Sequence, residues 1–222
     1  MYDFHTHTFL SDGVLAPVEL IRRSVEAGYR VIAITDHVGQ GNLEFILTTL
    51  AKDCEMANKR WDIRAVPGVE LTHVPKDDID RLASDARDMG AVVINVHGET
   101  VSEPVEPGTN RAAVSSDNVD ILAHPGLIDK EDASIAASSG VLLEVSARRS
   151  HAYANGHVVR MAKNAGARMI LNSDAHAPEE LLSREFAMKV ALGAGLSQSE
   201  AVDLLDESPK YLLRKIDREL LV

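Results

Sequence analysis

The chain has 222 residues, of which 45% are hydrophobic and 26% charged, a composition typical of a globular protein that buries its core within one domain. The formal net charge of -11 argues against long-range attraction to the nucleic-acid backbone. The sequence lacks an apolar run near the roughly 18 residues of a membrane span, and its start lacks the basic and then apolar pattern of a signal peptide. We therefore expect a cytoplasmic protein, with neither a membrane nor a nucleic acid as its partner.

Seven apolar segments rich in β-branched residues predict strands. In chain order they are residues 2–5, 31–35, 63–66, 91–96, 119–123, 141–145 and 168–172. Amphipathic stretches between most of them predict helices, beginning with PVELIRRSVEAGY, in which Pro17 suits a first helical turn and Gly28 a C-terminal stop. Strands that alternate with helices predict an α/β fold with a parallel sheet covered by helices. With seven strands we expect a closed or nearly closed barrel, and an open sheet is the alternative.

Two parts of the chain depart from this alternation. The segment GETVSEPVEPGTNRAAVSSDN, residues 98–118, predicts a lid or a substrate loop, because irregular segments of this length are usually functional or mobile; a disordered insertion is the alternative. After the last predicted strand come three helical patterns, PEELLSREFAMKVALGAG, LSQSEAVDLLDE and SPKYLLRKIDRELL. We expect residues 178–222 to pack as helices outside the barrel, so that residues 1–222 form a single domain.

The motif FHTHTFLSDG follows the first predicted strand and places His5 and His7 two positions apart. Residues two apart on a strand face the same side of the sheet, so the two rings can aim at a common point. Such an arrangement is one way to hold a metal ion, although a single buried histidine is more often a core residue with satisfied hydrogen bonds.

Similar polar residues recur where the other strands end. Together with the first two histidines, the candidate ligands are His5, His7, Asp12, His37, Glu70, His97, His124, Asp174 and His176. In a barrel, the C-terminal ends of the strands are where active sites lie. Mixed imidazole and carboxylate ligands suit zinc, manganese or iron, whereas calcium and magnesium prefer oxygen ligands. Nine candidate ligands exceed what one ion can use, so more than one metal is implied.

The order of the motifs HTH, SDG, TDH, GVE, VH, AHPG and SDAH resembles the PHP family, named for polymerases and histidinol phosphatases, over residues 3–176. HxH alone is weak evidence because it also opens amidohydrolase barrels, but the whole set is specific. The resemblance implies a stand-alone, histidinol-phosphatase-like member. Its fold would be a distorted seven-stranded TIM-like (βα) barrel with a three-metal cluster at the C-terminal face of the strands.

The resemblance also implies how the ligands are shared among three divalent ions. The first ion would be held by His5, His7, Glu70 and Asp174, the second by Glu70, His97 and His124 with Glu70 bridging, and the third by Asp12, His37 and His176. Asp12 stands where some relatives have histidine. Because all nine positions carry a ligand, we expect an active enzyme rather than a degenerate member.

Asp3 and Asp36 are close in sequence to predicted ligand histidines. A carboxylate that accepts the second ring N–H of a ligand histidine fixes its tautomer and orientation. We therefore predict such a supporting role for both residues, catalytic in its effect for Asp36, with a purely structural role as the alternative for Asp3.

Charge balance favours phosphoryl hydrolysis. Three divalent ions would bring six positive charges, of which Asp12, Glu70 and Asp174 cancel three, and the remainder matches a phosphate monoester dianion plus one hydroxide. Bound metals lower the pKa of water toward about 7, and paired ions stabilise both oxygens of an in-line displacement. We expect attack by a metal-bridging hydroxide.

The sixth predicted strand runs into EVSARRSHAYANG, which places two arginines at the mouth of the predicted site. A guanidinium offers a fork of donors matched to phosphate oxygens. We predict that Arg148 or Arg149, which are equally placed on this evidence, binds the substrate phosphate; a solvated basic turn is the alternative. Nearby His151 and Tyr153 could contact the leaving group, and Glu99 and Glu103 could contact a cationic substrate, but none of the four is assigned a role.

Several functions remain open from the sequence. The leading prediction is a metal-dependent phosphatase that acts on a small phosphate monoester such as histidinol phosphate. A phosphodiesterase or exonuclease of the same family would use the same cluster, but the negative charge and the 4% content of aromatic residues disfavour polynucleotide substrates. The remaining candidates are a non-catalytic, metal-stabilised interaction module and an amidohydrolase.

Overall fold

Parallel strands alternate with helices through most of the computed structural model, which describes residues 1–219. The strands are β1 (Tyr2–Asp3), β2 (Val31–Ile34), β3 (His37–Val38), β4 (Arg64–Leu71), β5 (Val93–His97), β6 (Ile121–Ala123), β7 (Leu142–Ser146) and β8 (Met169–Asn172). The helices are α1 (Pro17–Glu26), α2 (Leu43–Asn58), α3 (Ile79–Asp88), α4 (Thr109–Val114), α5 (Lys130–Ser139), α6 (Asn155–Ala165), α7 (Arg184–Gly193) and α8 (Gln198–Glu219). In this range each helix is too short or too polar to cross a bilayer.

The sheet curls almost into a closed barrel. Its strand order is β1-β2-β4-β5-β6-β7-β8, with parallel pairing throughout the described residues. Beyond β8 the chain returns to β1 through a bridge between Thr6 and Ala175, where the His7 N–H donates to the Ala175 carbonyl at 2.8 Å. The expected nearly closed α/β barrel of seven parallel strands is therefore confirmed.

One strand runs further than the sequence predicts. The strand expected to end at residue 66 continues to Leu71, because Pro67 lies where pairing on one side passes from β2 to the two-residue strand β3. Gly68 allows this close packing, since a Cβ there would approach the Val93 carbonyl oxygen to 2.7 Å. The extension places Glu70 inside a rigid strand rather than in a loop.

The C-terminal part differs from expectation in one respect. The two predicted helices on either side of residue 208 form one helix, α8, with Pro209 inside it. An apolar face that includes the buried Leu204, Leu212 and Ile216 continues across the proline, and its packing outweighs the lost backbone hydrogen bond. Residues 220 and 221 of the predicted helix lie outside the described residues.

Helix α8 covers one end of the barrel. Its Leu212 and Ile216 join the apolar cluster inside the barrel, which contains Phe4, Val31, Ala33, Val66, Val93, Ile121, Leu142 and Ile170. Most of these residues lie at or near the N-terminal ends of the strands. Polar contacts hold the helix there: Arg64 pairs with Asp217 at 2.7 Å, and the Lys215 ammonium donates to the Val119 carbonyl at 3.2 Å. The opposite, C-terminal end of the barrel stays open.

The long segment 98–118 is only partly irregular. It contains the short helix α4, and the part before the helix, residues 98–108, folds back toward the open end of the barrel. We call residues 98–108 the β5–α4 loop.

Candidate metal centre

The nine predicted ligands meet at the open end of the barrel. Six of them line a cavity of about 250 Å³, and His5, His7 and Glu70 lie buried beneath it. The cavity is lined by Asp12, His37, Thr72, His73, His97, Glu103, His124, Arg148, His151, Asp174 and His176. Parallel strands that end at one edge thus bring together residues from positions 5 to 176 of the chain.

Glu70 lies at the centre of this group and is fully buried. Its Oε1 is 3.3 Å from both His97 Nδ1 and His124 Nε2, and 3.4 Å from His5 Nε2. Its Oε2 lies 2.7 Å from His37 Nδ1. One carboxylate therefore faces histidines from four strand ends and has the position of a bridging ligand.

Two other carboxylates complete the arrangement. Asp174 Oδ1 lies 3.4 Å from His7 Nε2 and 3.7 Å from His5 Nε2. Asp12 Oδ1 lies 3.4 Å from His37 Nε2 and 3.0 Å from His176 Nε2. The sharing of these atoms among the three predicted sets stays a prediction. Groups whose ligand atoms lie within 4.8 Å of one another include His5, His7 and Asp174; His37, Glu70 and His97; and His7, Asp12, His37 and His176.

These separations fit divalent ions. Ligands about 2.0–2.1 Å from a tetrahedral ion lie roughly 3.4 Å from one another, and most of the nitrogen–oxygen separations in the three sets fall between 3.0 and 3.7 Å. Several buried atoms have no hydrogen-bond partner within the described residues. They include His5 Nε2, His7 Nε2, Glu70 Oε1, His97 Nδ1 and Asp174 Oδ2. An unsatisfied buried polar atom costs about 1–3 kcal/mol, and a bound ion would satisfy them together.

Electrostatics keep the carboxylates charged and one imidazole neutral. Burial acts to raise the pKa of Glu70, but the attraction of His5, His37 and His97 outweighs it and holds that pKa well below its ordinary value. Burial lowers the pKa of His7 to about 3. A charged carboxylate and a neutral imidazole are the forms that bind a metal ion.

A buried glutamate that sequence reasoning missed orients two of the histidines. Glu144 of β7 accepts from the His5 Nδ1–H at 2.8 Å and from the His124 backbone N–H at 3.0 Å. The Asn172 side-chain amide also donates to Glu144, at 2.9 Å. Glu144 thereby fixes the tautomer of His5 that leaves Nε2 free to face Glu70. The signal in the sequence was a single acidic residue within the apolar run VLLEVS.

The predicted ring contact of Asp36 is wrong. Its Oδ1 accepts from the Thr8 backbone N–H at 2.7 Å and from the Ser11 hydroxyl at 2.6 Å, and its Oδ2 accepts from the Thr8 hydroxyl at 2.7 Å. Neighbouring residues in an extended chain point to opposite sides, so the side chains of Asp36 and His37 diverge. Asp36 instead holds the loop that carries Asp12.

Asp3 also contacts backbone rather than an imidazole. Its Oδ1 accepts from the backbone N–H groups of His5 at 3.3 Å and Ser173 at 3.2 Å. Burial raises the pKa of Asp3 to about 7. These contacts tie β1 to the segment after β8, which supports the structural alternative for Asp3.

The two arginines are not equivalent, contrary to expectation. Arg148 lines the cavity, where its Nη1 donates to the Asp174 carbonyl at 3.2 Å and lies 2.7 Å from His176 Nδ1. Arg149 is exposed and lines a neighbouring groove beside Phe186. Consecutive residues in this turn point in different directions, so only the first of them faces the predicted ligands.

Two predicted ligands have a backbone conformation that side chains rarely adopt. His124 has φ of 28° and Asp174 has φ of 54°. Non-glycine residues with positive φ are uncommon and cluster at functional sites, where surrounding structure holds them in place. Here the Asp174 N–H donates to the His5 carbonyl at 2.9 Å, which fixes the strained residue against β1.

Further side chains at the cavity were not assigned a role from the sequence. Glu103 of the β5–α4 loop lies 3.1 Å from His97 Nε2, 3.4 Å from His73 Nε2 and 3.6 Å from His151 Nε2. The His151 ring stacks on His124 at 3.9 Å, and its Nδ1 lies 2.8 Å from the hydroxyl oxygen of Thr100. The histidines outside the strand-end motifs offered no spacing signal, because folding of two loops brings them here.

Comparison with known proteins agrees with this geometry. The family model of the PHP domain matches residues 3–189. An uncharacterized protein of Methanocaldococcus jannaschii is 48% identical over 97% of this chain and 99% of its own length. Ribonuclease P protein component 3 of Methanosarcina mazei is 29% identical over 96% of this chain and 89% of its own, and a probable phosphatase of Shewanella loihica is 27% identical over 96% and 92%.

Solved structures share the fold. The histidinol phosphate phosphatase of Lactococcus lactis, solved with zinc, L-histidinol and phosphate, has a TM-score of 0.62 at 14% identity and covers 88% of this chain and 94% of its own. A chain of archaeal ribonuclease P in complex with mature tRNA has a TM-score of 0.68 at 16% identity, covering 99% and 91%. At these identities the likeness shows the barrel architecture.

Proposed function

The chain belongs to the PHP domain family of metal-dependent phosphoesterases, and from this premise we propose that it is a phosphatase that hydrolyses a small phosphate monoester. The carrying observation is the set of buried nitrogen and oxygen atoms around Glu70 that lack hydrogen-bond partners within the described residues. A site meant only to stabilise the fold would satisfy these atoms with protein groups.

The proposed cofactor is a cluster of three divalent ions, zinc, manganese or iron. His5, His7, Glu70 and Asp174 hold the first ion, Glu70, His97 and His124 the second, and Asp12, His37 and His176 the third. When bound, such ions acidify coordinated water and neutralise charge on the transferring phosphoryl group. The three acidic ligands leave a net positive site, which matches a dianionic monoester and a hydroxide.

The chain's own groups then select and orient the substrate. Arg148 lies beside Asp174 and His176 at the cavity wall, where its guanidinium can donate two hydrogen bonds to phosphate oxygens. Glu144 holds His5 and His124, and Asp36 holds the loop of Asp12, so the ligands need little reorganisation when substrate binds. The cavity of about 250 Å³ suits a phosphate with a small leaving group.

The test is phosphate release by protein that has been stripped with a chelator and reconstituted with zinc or manganese. The substrates are a panel of small monoesters that includes histidinol phosphate, together with phosphodiesters. Metal-dependent release from a monoester is the expected result and names the substrate class. Cleavage of diesters alone would replace the phosphatase by a phosphodiesterase or exonuclease that uses the same cluster.

A second candidate is a non-catalytic component of a ribonucleoprotein or protein assembly. It is favoured by the 29% identity to a ribonuclease P protein component over nearly the whole chain and by the likeness to a chain of archaeal ribonuclease P. The net charge of -11 counts against direct contact with RNA. Full ion occupancy without turnover of any ester would favour this candidate.

A further inference from the structure

The β5–α4 loop is fastened at both ends. The Glu99 carboxylate accepts from the backbone N–H groups of Gly108 and Asn110, both at 3.0 Å. The Asn110 side chain in turn donates to the Pro125 carbonyl at 2.9 Å. Glu106 near the far end accepts from the Lys76 backbone N–H at 3.1 Å. The middle of the loop is thereby held over the cavity.

One side chain of this middle part turns inward. The Glu103 carboxylate is 36% exposed and reaches the imidazole of His97, which is almost completely buried. Its Oε2 lies 3.1 Å from His97 Nε2. The contact is close but not aligned as a hydrogen bond, and a rotation of the partly exposed Glu103 side chain onto the N–H axis is the one change that such a bond requires.

His97 therefore lies between two carboxylates. Its Nδ1 is 3.3 Å from Glu70 Oε1, and its Nε2 faces Glu103. A neutral imidazole has one nitrogen that can ligate an ion and one that carries a hydrogen. The groups that share an ion with His97 in the proposed assignment are Glu70 and His124, whose Nε2 is 3.3 Å from the same Glu70 oxygen. They lie on the Nδ1 side, which leaves the Nε2–H for Glu103.

We propose that Glu103 is a positioning residue that holds His97 in the tautomer whose Nδ1 faces Glu70, so that the second ion depends on a closed β5–α4 loop. The proposal rests on the proposed metal cluster. A carboxylate that accepts the free ring N–H of a ligand raises the ligand's basicity and fixes its ring. Glu144 does this for His5 from a rigid strand, whereas Glu103 does it from a loop, so opening of the loop weakens one ion and spares the others.

The experiment compares three variants of the full chain. Glu103→Ala removes the acceptor, and Glu103→Gln keeps an acceptor oxygen without charge. Val101→Ala is the matched truncation on the same loop, at an exposed side chain that does not line the cavity. Zinc affinities are measured by calorimetric titration of stripped protein. We expect Glu103→Ala to weaken one ion by about 10- to 100-fold and to leave the others unchanged. Glu103→Gln should lose less, and Val101→Ala should match the wild type.

A second measurement determines which ring nitrogen of His97 binds the metal. In zinc-loaded protein with ¹⁵N-labelled histidine, NMR distinguishes a metal-bound Nδ1 from a metal-bound Nε2. We expect His97 to be bound through Nδ1 with a hydrogen on Nε2 in the wild type. A His97 bound through Nε2, an unchanged zinc titration of Glu103→Ala, or an equal loss in Val101→Ala would each overturn the proposal.

The outcomes separate this proposal from the proposed function. A wild-type protein that releases phosphate while Glu103→Ala binds zinc normally would overturn the role of Glu103 alone. A wild-type protein that binds zinc with the expected dependence on Glu103 but hydrolyses no ester would support that role and overturn the phosphatase. A wild type that binds none of zinc, manganese and iron would overturn both.

Discussion

The two ends of the barrel are built from the same strands, but one end buries apolar side chains and the other buries polar ones. At the N-terminal end, Val66 and Val93 pack with Leu212 and Ile216 of α8 in an apolar cluster. At the C-terminal end, buried imidazoles and carboxylates surround Glu70, and several of their atoms lack hydrogen-bond partners in the part of the chain that the structure describes. One end stabilises the fold by excluding water, and the other stores polar groups that only a ligand satisfies.

Single strands make this change within four residues. Val66 and Glu70 lie on β4, Val93 and His97 on β5, and residues four apart on a strand share a face. The inward-facing row is thus apolar where the strand begins and polar where it ends. The residues that stabilise the fold and the residues of the candidate site therefore lie on the same face of the sheet, at opposite ends of the strands. Substitutions at the two ends should have separable effects on stability and on activity.

The sharpest test of this separation is Glu70→Gln. The variant keeps the side-chain volume but loses the charge that faces four histidines. We therefore expect kcat/KM of reconstituted enzyme to fall by about 10³-fold or more, since metal ions supply several kcal/mol of transition-state stabilisation. The apolar end is untouched, and circular dichroism should show a folded protein. Activity within tenfold of the wild type would contradict the central position of Glu70.

At the other level, Leu212→Ala should affect stability rather than chemistry. Truncating a buried leucine typically lowers the free energy of unfolding by about 2–5 kcal/mol, which urea denaturation would measure. We expect kcat of the folded fraction to stay unchanged. Val202→Ala on the same helix, at a position that is 37% exposed, is the control and should change stability by less than about 0.5 kcal/mol. A loss of kcat without loss of stability would break the comparison.

Removal of metal should link the two ends through stability. An ion that binds only the folded state stabilises it by about 2.7 kcal/mol at 100 times its dissociation constant. We therefore expect thermal unfolding to shift to lower temperature in the presence of a chelator, and Glu70→Gln to show a smaller shift. Equal melting curves with and without zinc in the wild type would count against a metal cluster.

The smallest effect that we predict separates the two arginines. Hydrogen bonds to charged groups contribute about 1.5–3 kcal/mol, so Arg148→Ala should lower kcat/KM for a monoester by roughly 10- to 100-fold. Arg149→Ala, in the neighbouring groove, should stay within about twofold. Equal losses for both variants would restore the equivalence that the sequence suggested.

The sequence predicted those features that depend on position along the chain. Seven strands and the placement of His97 or His124 at strand ends follow from local apolar periodicity and from the rule that barrel sites lie at one end. The predicted end of β4 at residue 66 and the predicted helix break at residue 208 were wrong, because tertiary packing decides both. Pro67 signals a strand break and Pro209 a helix break, but packing of the surrounding residues outweighs both signals.

Features that depend on side-chain direction or loop folding escaped prediction. Arg148 and Arg149 look alike in the sequence, and only the turn after β7 tells them apart. The side chain of Asp36 diverges from its neighbouring histidine, while Glu144, whose strand is mostly apolar, takes the supporting role expected of a neighbour. Glu103 reaches the cavity because its loop folds back over it. The spacing of residues along the chain does not predict the path of this loop.

The position of α8 also bears on how the protein is made. Leu212 and Ile216 complete the apolar interior, so the barrel cannot finish packing until α8 has been synthesised. At about 5–20 residues per second, this takes on the order of 10 to 40 s after His5 and His7 are synthesised. During this time the first ligands of the cluster are exposed on a nascent chain, so we expect metal loading to follow the synthesis of α8.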